Sequence, residues 1–460
     1  MQFSKKNEFI YQPHWNDNIE YYKEQDRGYE YREDLFVPGH FELPIKKGES
    51  VIFSAGLSEA SPRNLDKLWE SELAKRIRRE DMYSCLKNSA QQFYKKEGDK
   101  IFLMAGYPWF TTRARDQFVA LPGCTLCAGG EAIFDSMMSS SVPDVEQFLA
   151  GNTANVTLQG IDKPDVLLWF IWTVQQYARK VSPADAAEKY GHLVEKIISF
   201  IRKQAHPNLL LHNNGLLYVN GRENPATWMD AIDEGMPITP RTGYVVEINA
   251  LWYNALKFAA EMAAHCHDEH NADLLNYRAE ISKESFIKTF WNEHNYLYDY
   301  VDGTYKDYEV RPNMIFAVGL PYSPLEKSQQ KKIVDIVTRE LLTPKGLRTL
   351  SPKSGSYRPV YIGGQKERDR NYHNGPIWPW TLGAYATAYL RIYKQSGISF
   401  IERMLFGFED EMKELCIGTF SELFDGNPPF KGHGGISFAM NVAEILRILD
   451  MLAAAENNEL

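Results

Sequence analysis

The feature that most limits the fold of this chain is a succession of about twelve segments with helical periodicity, beginning near residue 61. Most of them lie in consecutive pairs, and no alternation of strands and helices or short fixed repeat is visible. Paired helices in this number predict an all-α fold and favour an (α/α)6 barrel, with an irregular helical bundle or solenoid as the alternative. The predicted helices are Asn64–Phe93, Asp116–Ser139, Lys163–Lys180, Pro183–Gln204, Tyr244–His267, Ala272–Trp291, Pro324–Leu341, Ile377–Lys394, Ser399–Cys416 and Ser437–Ala455, with shorter pieces at Asp144–Leu149 and Arg311–Leu320.

Four long loops separate the predicted helix pairs, at residues 105–115, 206–243, 342–376 and 417–436, and all are rich in Gly, Pro and Trp. In a barrel of paired helices, the loops at one end form a funnel. We therefore expect the functional residues in these loops, where aromatic and charged side chains are concentrated.

Residues 1–60 differ from the helical part, because the stretch HFELPIKKGESVIFSA alternates apolar and polar residues around a KKGE turn. This alternation predicts two short β-strands. Two strands alone are only marginally stable in water. We therefore expect residues 1–60 to be the end of a β domain, with strands that lie on the helical body as the alternative, and residues 61–460 to form the helical domain.

Charge and composition exclude several classes of partner. With 51 basic and 60 acidic residues the formal net charge is −9, which argues against nucleic acid and against a basic membrane-binding surface. No apolar run reaches the ~18 residues of a membrane span, and the stretch MQFSKKNEFIYQPHW lacks the apolar core of a signal peptide. Five cysteines in 460 residues are typical of a reducing compartment, so a cytoplasmic location is expected.

The first loop cluster, GYPWFTTRARD, places Trp109, Arg113, Arg115 and Asp116 at the start of a predicted helix. An Arg beside an Asp can hold the vicinal hydroxyls of a sugar as a donor and acceptor fork. The alternative is structural, with Asp116 capping the helix from Gln117 onward and Arg115 paired with it.

The second cluster, NPATWMDAIDEG, holds three acids, Asp230, Asp233 and Glu234, beside Trp228. A carboxyl held against an indole in a dry pocket has a raised pKa, which is what a general acid needs at neutral pH. The alternative is a solvated acidic loop or the first turn of a helix.

The remaining two loops add further candidates. RDRNYHNGPIWPW contains His373 and Trp378, of which the histidine either bonds a hydroxyl or serves the structure. GTFSELFDGNPPFKGHGG contains Glu422 and Asp425 in an aromatic, Gly- and Pro-rich setting. One carboxylate here, facing one near Asp230, would provide the pair that glycoside hydrolysis requires, about 6.5–9.5 Å apart in an inverting enzyme.

Metal and cofactor signals are weak. Cys124 and Cys127 form an isolated CxxC within a predicted helix, which favours a small-residue helix face over a metal or redox site. The run HCHDEH at residues 265–270 stands at a helix end, where His is favoured without a metal. GHGG at residues 432–435 has no strand before it, unlike a phosphate-binding loop. We expect neither metal nor cofactor.

Seven stretches, in order, resemble the signatures of the amylo-α-1,6-glucosidases, the debranching glucosidases of glycogen metabolism. They are GYPWFTTRARD, TWMDA, GYVVEINALWYNAL, VRPNMIFAVGLP, TPKGLRTLSP, YHNGPIWPW and FSELFDG, and they cover roughly residues 60–455. The resemblance implies an (α/α)6 barrel and hydrolysis with inversion, in which Asp230 is the general acid and Glu422 the general base. Asp233 and Glu234 are rivals for the acid role, and Asp425 is the rival base, although we expect it instead to orient Glu422 or its loop.

The same resemblance implies an α-glucan substrate, either glycogen or a branched dextrin. Arg115 and Asp116 match a pair that grips the non-reducing glucose in related helical glucosidases. Arg113 is an addition to the family pattern and would alter subsites beyond the first glucose. The other expected funnel residues are Trp109, Trp228, Glu247, Asn249, Arg311, Asn313, His373 and Trp378.

Two other functions stay open at this point. One is a helical-barrel hydrolase or phosphorylase that acts on another α-glucoside, such as a trehalose-type disaccharide. The other is a glucan-binding protein that has lost catalysis. Intact carboxyls in both loops disfavour the second, and the glutamate of FSELFDG disfavours a phosphorylase, which needs an anion site instead of a base.

Overall fold

The computed structural model describes residues 1–154 and 156–456. The chain divides into two compact units. The smaller comprises Met1–Glu80 with Ile362–Gln365, and the larger comprises Asp81–Tyr361 and the chain from Lys366 onward.

The helices and strands are as follows. The α-helices are α1 (Tyr22–Asp26), α2 (Leu65–Ala74), α3 (Met82–Gln92), α4 (Ala114–Cys124), α5 (Glu131–Leu149), α6 (Val166–Lys180), α7 (Pro183–Arg202), α8 (Val246–His265), α9 (Glu269–Phe290), α10 (Phe316–Gly319), α11 (Lys327–Glu340), α12 (Gln365–Asn371), α13 (Thr381–Tyr393), α14 (Ile398–Phe406) and α15 (Ala439–Glu456). The strands are β1 (Gln2–Phe3), β2 (Glu8–Glu20), β3 (Arg32–Glu42), β4 (Phe53–Ser54), β5 (Tyr94–Glu97), β6 (Lys100–Leu103), β7 (Gly106–Tyr107), β8 (Leu210–Leu211), β9 (Leu217–Val219), β10 (Ile232–Asp233), β11 (Met236–Pro237), β12 (Gly243–Val245), β13 (Tyr300–Asp302), β14 (Tyr305–Lys306), β15 (Leu342–Thr343), β16 (Gly346–Arg348), β17 (Ile377–Trp378), β18 (Leu423–Phe424), β19 (Gly432–His433) and β20 (Ser437–Phe438).

The smaller unit is built on a long antiparallel ribbon of β2 and β3, with two register shifts along its length. The two strands predicted around the KKGE turn are present as the end of β3 and as β4, but they do not pair with each other. A turn does form there, since the Glu49 amide donates to the Lys46 carbonyl at 3.0 Å. The strand before the turn pairs instead with β2, and β4 pairs with β1. Pro44 explains part of the difference, because it cannot donate to a ladder beyond the end of β3.

Two predicted helices are each split. The segment Asn64–Phe93 divides into α2 and α3, because Asp81 starts a new helix: its carboxylate accepts from the Ser84 amide at 2.7 Å, and the Asp81 amide donates to the Ser84 hydroxyl. The segment Asp116–Ser139 divides into α4 and α5, because Gly129 adopts a φ of +79° between them.

Other helix predictions differ only at their ends or in their extent. The short piece expected at Asp144–Leu149 is the end of the long helix α5. The segment Ser399–Cys416 was too long, since α14 ends at Phe406 and only a 3₁₀ turn at Glu411–Lys413 follows. The segment Arg311–Leu320 forms a 3₁₀ turn continued by α10.

Six helices of the larger unit pack against one another in cyclic order. Helix α4 contacts α6, α6 contacts α8, α8 contacts α10, α10 contacts α13, α13 contacts α15, and α15 contacts α4. Helices α7, α9, α11 and α14 pack against members of this ring. All eleven residues of α4 are buried, whereas α9 buries six of its 22, so the ring forms the core and the other helices cover it.

Helices α13 and α15 of the ring run in the same direction. At the beginning of both, the Trp380 amide donates to the Asn441 side chain at 2.9 Å, and further along both helices Arg447 donates to Thr387 at 3.0 Å. Close packing depends on small residues, because a Cβ on Gly123 in α4 would lie 2.0 Å from the Ala443 carbonyl oxygen in α15. The loops that precede α13 and α15 therefore lie at the same end of these helices.

Short antiparallel sheets occupy the long loops. One five-stranded sheet has the order β14-β13-β12-β9-β8, and a second has the order β15-β16-β17-β18-β19. The all-α prediction therefore holds only for the helical majority, because short sheets form within and beside the Gly- and Pro-rich loops. These sheets fix the loops that carry the candidate site.

Three further observations concern the described part of the chain. None of its helices is long and apolar enough to cross a membrane. No group of three His, Cys, Asp or Glu side chains is placed to hold a metal ion within residues 1–154 and 156–456. The five cysteines are free thiols, and burial raises the pKa of Cys124 and Cys127, which lie at the junction between α4 and a 3₁₀ turn.

Candidate active site

A buried arginine links the beginnings of two neighbouring ring helices. Arg115, the second residue of α4, donates from Nε and Nη2 to both oxygens of Asp165 at 2.7 and 3.0 Å, and Asp165 immediately precedes α6. The remaining nitrogen, Nη1, lies 3.5 Å from Asp230 Oδ2. Arg115 therefore connects a structural ion pair to the carboxyl that was predicted as the acid.

Asp116 does not cap helix α4. The helix begins at Ala114 with Arg113 before it, so Asp116 lies in the first turn, and Arg115 pairs with Asp165 instead. Both structural alternatives for this pair are therefore wrong. Asp116 is buried, which raises its pKa to about 6 despite the nearby cations Arg113 and Arg115. The negative charge of Asp230 also raises the pKa of Asp116.

Asp230 is partly exposed, with 38% of its side chain accessible, so it does not lie in the dry pocket that the sequence suggested. The preceding Trp228 is buried, and its indole N–H donates to Asn313 at 2.9 Å. Asn313 in turn donates to Asp299 at 2.8 Å. The loop is therefore anchored in the core two residues before Asp230, while Asp230 itself stays reachable.

A buried cluster of charges lies beneath this loop. Arg241 pairs with both Glu247, at the start of α8, and Asp299, to which it donates at 2.6 and 3.0 Å. It also donates to the Thr227 hydroxyl at 3.2 Å. Glu247 is thus placed as a partner of Arg241 in the support of the loop, and its role toward substrate stays a prediction.

The two rival acids are bound to cations of α12. Lys366 lies 2.6 Å from Glu234 and 3.4 Å from Asp233, and Arg370 lies 3.1 Å from Asp233. Both acids belong to the hairpin of β10 and β11 that follows Asp230. Their carboxylates are therefore engaged in holding the hairpin.

Glu422 is buried and bonded through both oxygens. The Tyr372 hydroxyl donates to Oε1, and the Gly435 amide donates to Oε2 at 2.7 Å. The Asn441 side chain donates to the backbone carbonyl of Glu422 at 2.9 Å. A Cβ on Gly434, whose φ is +73°, would lie 2.2 Å from Oε2. The GHGG stretch thus packs against this carboxyl through Gly434 and Gly435 and holds it by a hydrogen bond.

Burial raises the pKa of Glu422 to about 7. The hydrogen bonds from Tyr372 and Gly435 oppose this shift, as does the positive charge of Arg113, whereas the charge of Asp116 adds to it. Since Asp116 also responds to Asp230, the three carboxyls and Arg113 belong to one electrostatic cluster.

His373 is packed between the rings of two tryptophans. Its ring stacks on Trp378 at 5.4 Å and meets Trp228 edge-on at 5.4 Å. Burial and the charges of Arg311, Arg115 and Arg241 hold its pKa well below the ordinary value, so the ring is neutral. Its nitrogens have no hydrogen-bond partner within the described residues.

The other predicted residues have separate placements. Arg311 donates to the backbone carbonyl of His373 at 2.7 Å and to Asn374 at 3.0 Å, which braces the aromatic loop. Asp425 pairs with His433 at 3.1 Å and accepts from the Tyr361 amide at 2.8 Å, so it stabilises its own loop. Trp109 is 51% exposed.

Several site residues escaped sequence reasoning. Asp165 and Tyr372 each lie 50 positions from the side chain they bond, and Arg241 lies 58 positions from Asp299. Asp165 carries one signal, because an acid directly before an apolar run often marks a helix start. No local pattern indicates the other two.

Comparison with known proteins identifies the family to which this chain belongs. The fold and the site define a helical protein whose inter-helix loops bring carboxyls, a guanidinium and aromatic rings to one end. The family model described as amylo-alpha-1,6-glucosidase matches residues 87–447, and the chain belongs to this family. A second model, described as glycogen debranching enzyme N terminal, matches residues 1–52.

Two individual proteins are similar to the chain. The glycogen debranching enzyme of Saccharomyces cerevisiae is 28% identical over 220 residues, which span 38% of this chain and 14% of the yeast protein. The crystal structure of an uncharacterized conserved protein from Thermus thermophilus superposes with a TM-score of 0.55 at 16% identity. That match covers 79% of this chain and 99% of the other, and it concerns the fold alone.

Proposed function

We propose that this chain is an inverting amylo-α-1,6-glucosidase that releases glucose from α-1,6 branch stubs of glycogen or a related α-glucan. The observation that supports the proposal is the placement of Asp116 between the two carboxyls, since the charge of Asp230 acts on Asp116, the charge of Asp116 acts on Glu422, and Arg115 lies 3.5 Å from Asp230. Hydrolysis by two carboxyls requires such a pair on opposite sides of the scissile bond.

Asp230 is suited to the role of general acid by its position. Its carboxyl is partly exposed, so the glycosidic oxygen of an entering branch can approach it. In the protonated form it donates its proton to that oxygen as the bond to the anomeric carbon breaks. Arg115 beside it then stabilises the carboxylate that remains.

Glu422 is suited to the role of general base. Its carboxylate is held through both oxygens, and above a pH of about 7 it is ionised and able to take a proton from the attacking water. Attack from the face opposite the leaving group gives β-glucose. Arg115 and Asp116 hold the hydroxyls of the terminal glucose, and Trp109, whose ring is exposed, packs against a sugar face. Trp228 and Trp378 are buried, so they support the site through their packing on His373 and not through a sugar face.

The architecture proposed with this function is an (α/α)6 barrel, supported by the cyclic packing of six helices and by the helices that cover them. Residues 1–60 are proposed to be the end of a β domain, in keeping with the match of residues 1–52. The free cysteines support a cytoplasmic location.

Proton NMR of the anomeric signals tests the proposal. The chain is mixed with a dextrin that bears single α-1,6 glucosyl stubs, and spectra are recorded from the first minutes. Early β-glucose is the expected result. Early α-glucose would mean retention and a wrong mechanism, and absence of glucose would refute the substrate. Turnover that requires inorganic phosphate would instead identify a phosphorylase.

A further inference from the structure

The two candidate catalytic loops are both in contact with one short segment, residues 366–372, which comprises most of α12 and the residue that follows it. At its end, Tyr372 donates its hydroxyl to Glu422 Oε1. At its beginning, Lys366 and Arg370 form ion pairs with Asp233 and Glu234. Those acids lie three and four residues after Asp230.

The hairpin between these contacts is short and well defined. Ile232 pairs with Pro237, and the Ile238 amide donates to the Ala231 carbonyl at 3.0 Å directly after Asp230. A shift of Asp233 would therefore reach the backbone of Asp230 through three peptide bonds. The cations of α12 act on the position of Asp230 without touching it.

Tyr372 is itself fixed on several sides. Its amide donates to the Arg368 carbonyl at 2.9 Å, so it continues the hydrogen bonding of α12. Its carbonyl accepts from the Trp378 indole at 3.1 Å, and its ring meets that indole edge-on at 5.0 Å. The hydroxyl is thus presented to Glu422 by a rigid support.

We propose that residues 366–372 form a positioning brace, which sets the orientation of Glu422 and the place of the Asp230 loop together. Tyr372, Lys366 and Arg370 are positioning residues, since each acts through another side chain. The inference rests on the proposed function for its kinetic consequences and on the geometry alone for its effect on Glu422.

The first test measures the pKa of Glu422 in the free protein. The titration is monitored by NMR of ¹³C-carboxyl-labelled glutamate, and the Glu422 signal is assigned by its loss in Glu422→Gln. The groups that act on this carboxyl are Arg113, Asp116, Tyr361 and Tyr372. Because the phenol stabilises the ionised form, Tyr372→Phe should raise the Glu422 pKa by about one unit. An unchanged titration would overturn the role of Tyr372, whether or not the chain releases glucose.

The second test measures the kinetics of glucose release from the dextrin that bears single α-1,6 glucosyl stubs. In Tyr372→Phe, kcat should fall about tenfold with KM nearly unchanged, and the acid limb of the pH profile should move to higher pH. Tyr389→Phe is the matched control. Tyr389 lies away from the site, where its ring stacks on Phe400 with the ring centroids 4.6 Å apart, so this substitution should leave the kinetics unaltered. No glucose release by the unsubstituted chain would refute the proposed function and leave the titration to decide the brace.

A double-mutant cycle tests whether the two ends act as one. Lys366→Gln combined with Arg370→Gln should lower kcat several-fold. If the segment is one brace, adding Tyr372→Phe should cost less than the product of the separate losses, because parts of a unit are not additive. Strictly multiplicative losses would overturn the brace. Lys331→Gln, which removes a comparable exposed pair with Asp335, should leave kcat unchanged.

Discussion

The two loops that supply Asp230 and Glu422 are held in opposite ways. Glu422 is buried, and its partners are a main-chain amide, a phenol and the side chain of Asn441. Asp230 is partly exposed, and the hairpin after it depends on ion pairs of Lys366 and Arg370 at the surface. Burial gives one carboxyl a fixed direction and a raised pKa, whereas exposure gives the other access to a leaving group.

The largest expected effect is the loss of either carboxyl. Glu422→Gln and Asp230→Asn should each lower kcat by about 10²–10⁴-fold, because each removes one proton transfer. The rivals provide the matched controls, since Asp233→Asn and Glu234→Gln remove only ion pairs and should cost far less. The initial rate of glucose release measures all four. A Glu422→Gln variant close to full activity would refute the base assignment.

The next contrast is between a buried and an exposed ion pair. Asp165→Asn leaves the Arg115 guanidinium buried with a weakened partner, so the free energy of unfolding should fall by about 3–5 kcal/mol. Asp233→Asn removes a partly exposed pair and should cost about 1 kcal/mol or less. Urea denaturation of both variants checks this. Similar losses would mean that burial does not make the first ion pair more important for stability than the second.

Two glycines sharpen the comparison, one beside each carboxyl. Gly434 and Gly235 both have positive φ. A Cβ added at Gly434 would clash with Glu422 Oε2, whereas a Cβ added at Gly235 would have no other atom within 4 Å. Gly434→Ala should lower kcat about tenfold or more by displacing Glu422. Gly235→Ala should cost only the backbone strain, about 1–2 kcal/mol of stability, with kcat nearly unchanged. Equal kcat values for the two variants would contradict a tightly held base.

The last expected effect concerns stability and pH. The pKa of Glu422 is raised from 4.5 to about 7 on folding, so its ionisation destabilises the folded state. This cost is absent below pH 4.5, grows as the pH rises from 4.5 to 7 and is constant above that. Glu422→Gln should therefore be more stable than the unsubstituted chain at pH 8, by about 3 kcal/mol, with little difference at pH 4.5. Thermal unfolding at both pH values measures this, and a constant difference would contradict it.

Helices with a continuous apolar face were predictable from the sequence. The expected helix at Pro183–Gln204 differs from α7 by two residues, because its apolar positions repeat with helical spacing and Ser182 caps its start. The split between α2 and α3 was missed, since the cap formed by Asp81 and Ser84 interrupts a pattern that otherwise continues. Local hydrogen bonds decided the boundary there, not periodicity.

The site was predictable only in part for a related reason. The loops that contain Asp230 and Glu422 could be selected because their residue types suit the chemistry, although the roles stay predictions. The partners of these residues could not be selected. Asp165 and Tyr372 are ordinary residues at a helix start and after a short helix, and only the packing of the ring brings them to Arg115 and Glu422. Contacts across long sequence separations leave no local pattern.

The cyclic packing of the helices has a consequence for synthesis on the ribosome. Helix α4 is apolar and fully buried, yet its partner α15 is made roughly 300 residues later, which takes about 15–60 s at common translation rates. Until then one side of α4 has no native neighbour. From the synthesis of α4 until that of α15, this buried surface is therefore exposed to aggregation in the nascent chain, and chaperones that bind the chain in that interval should lower its aggregation.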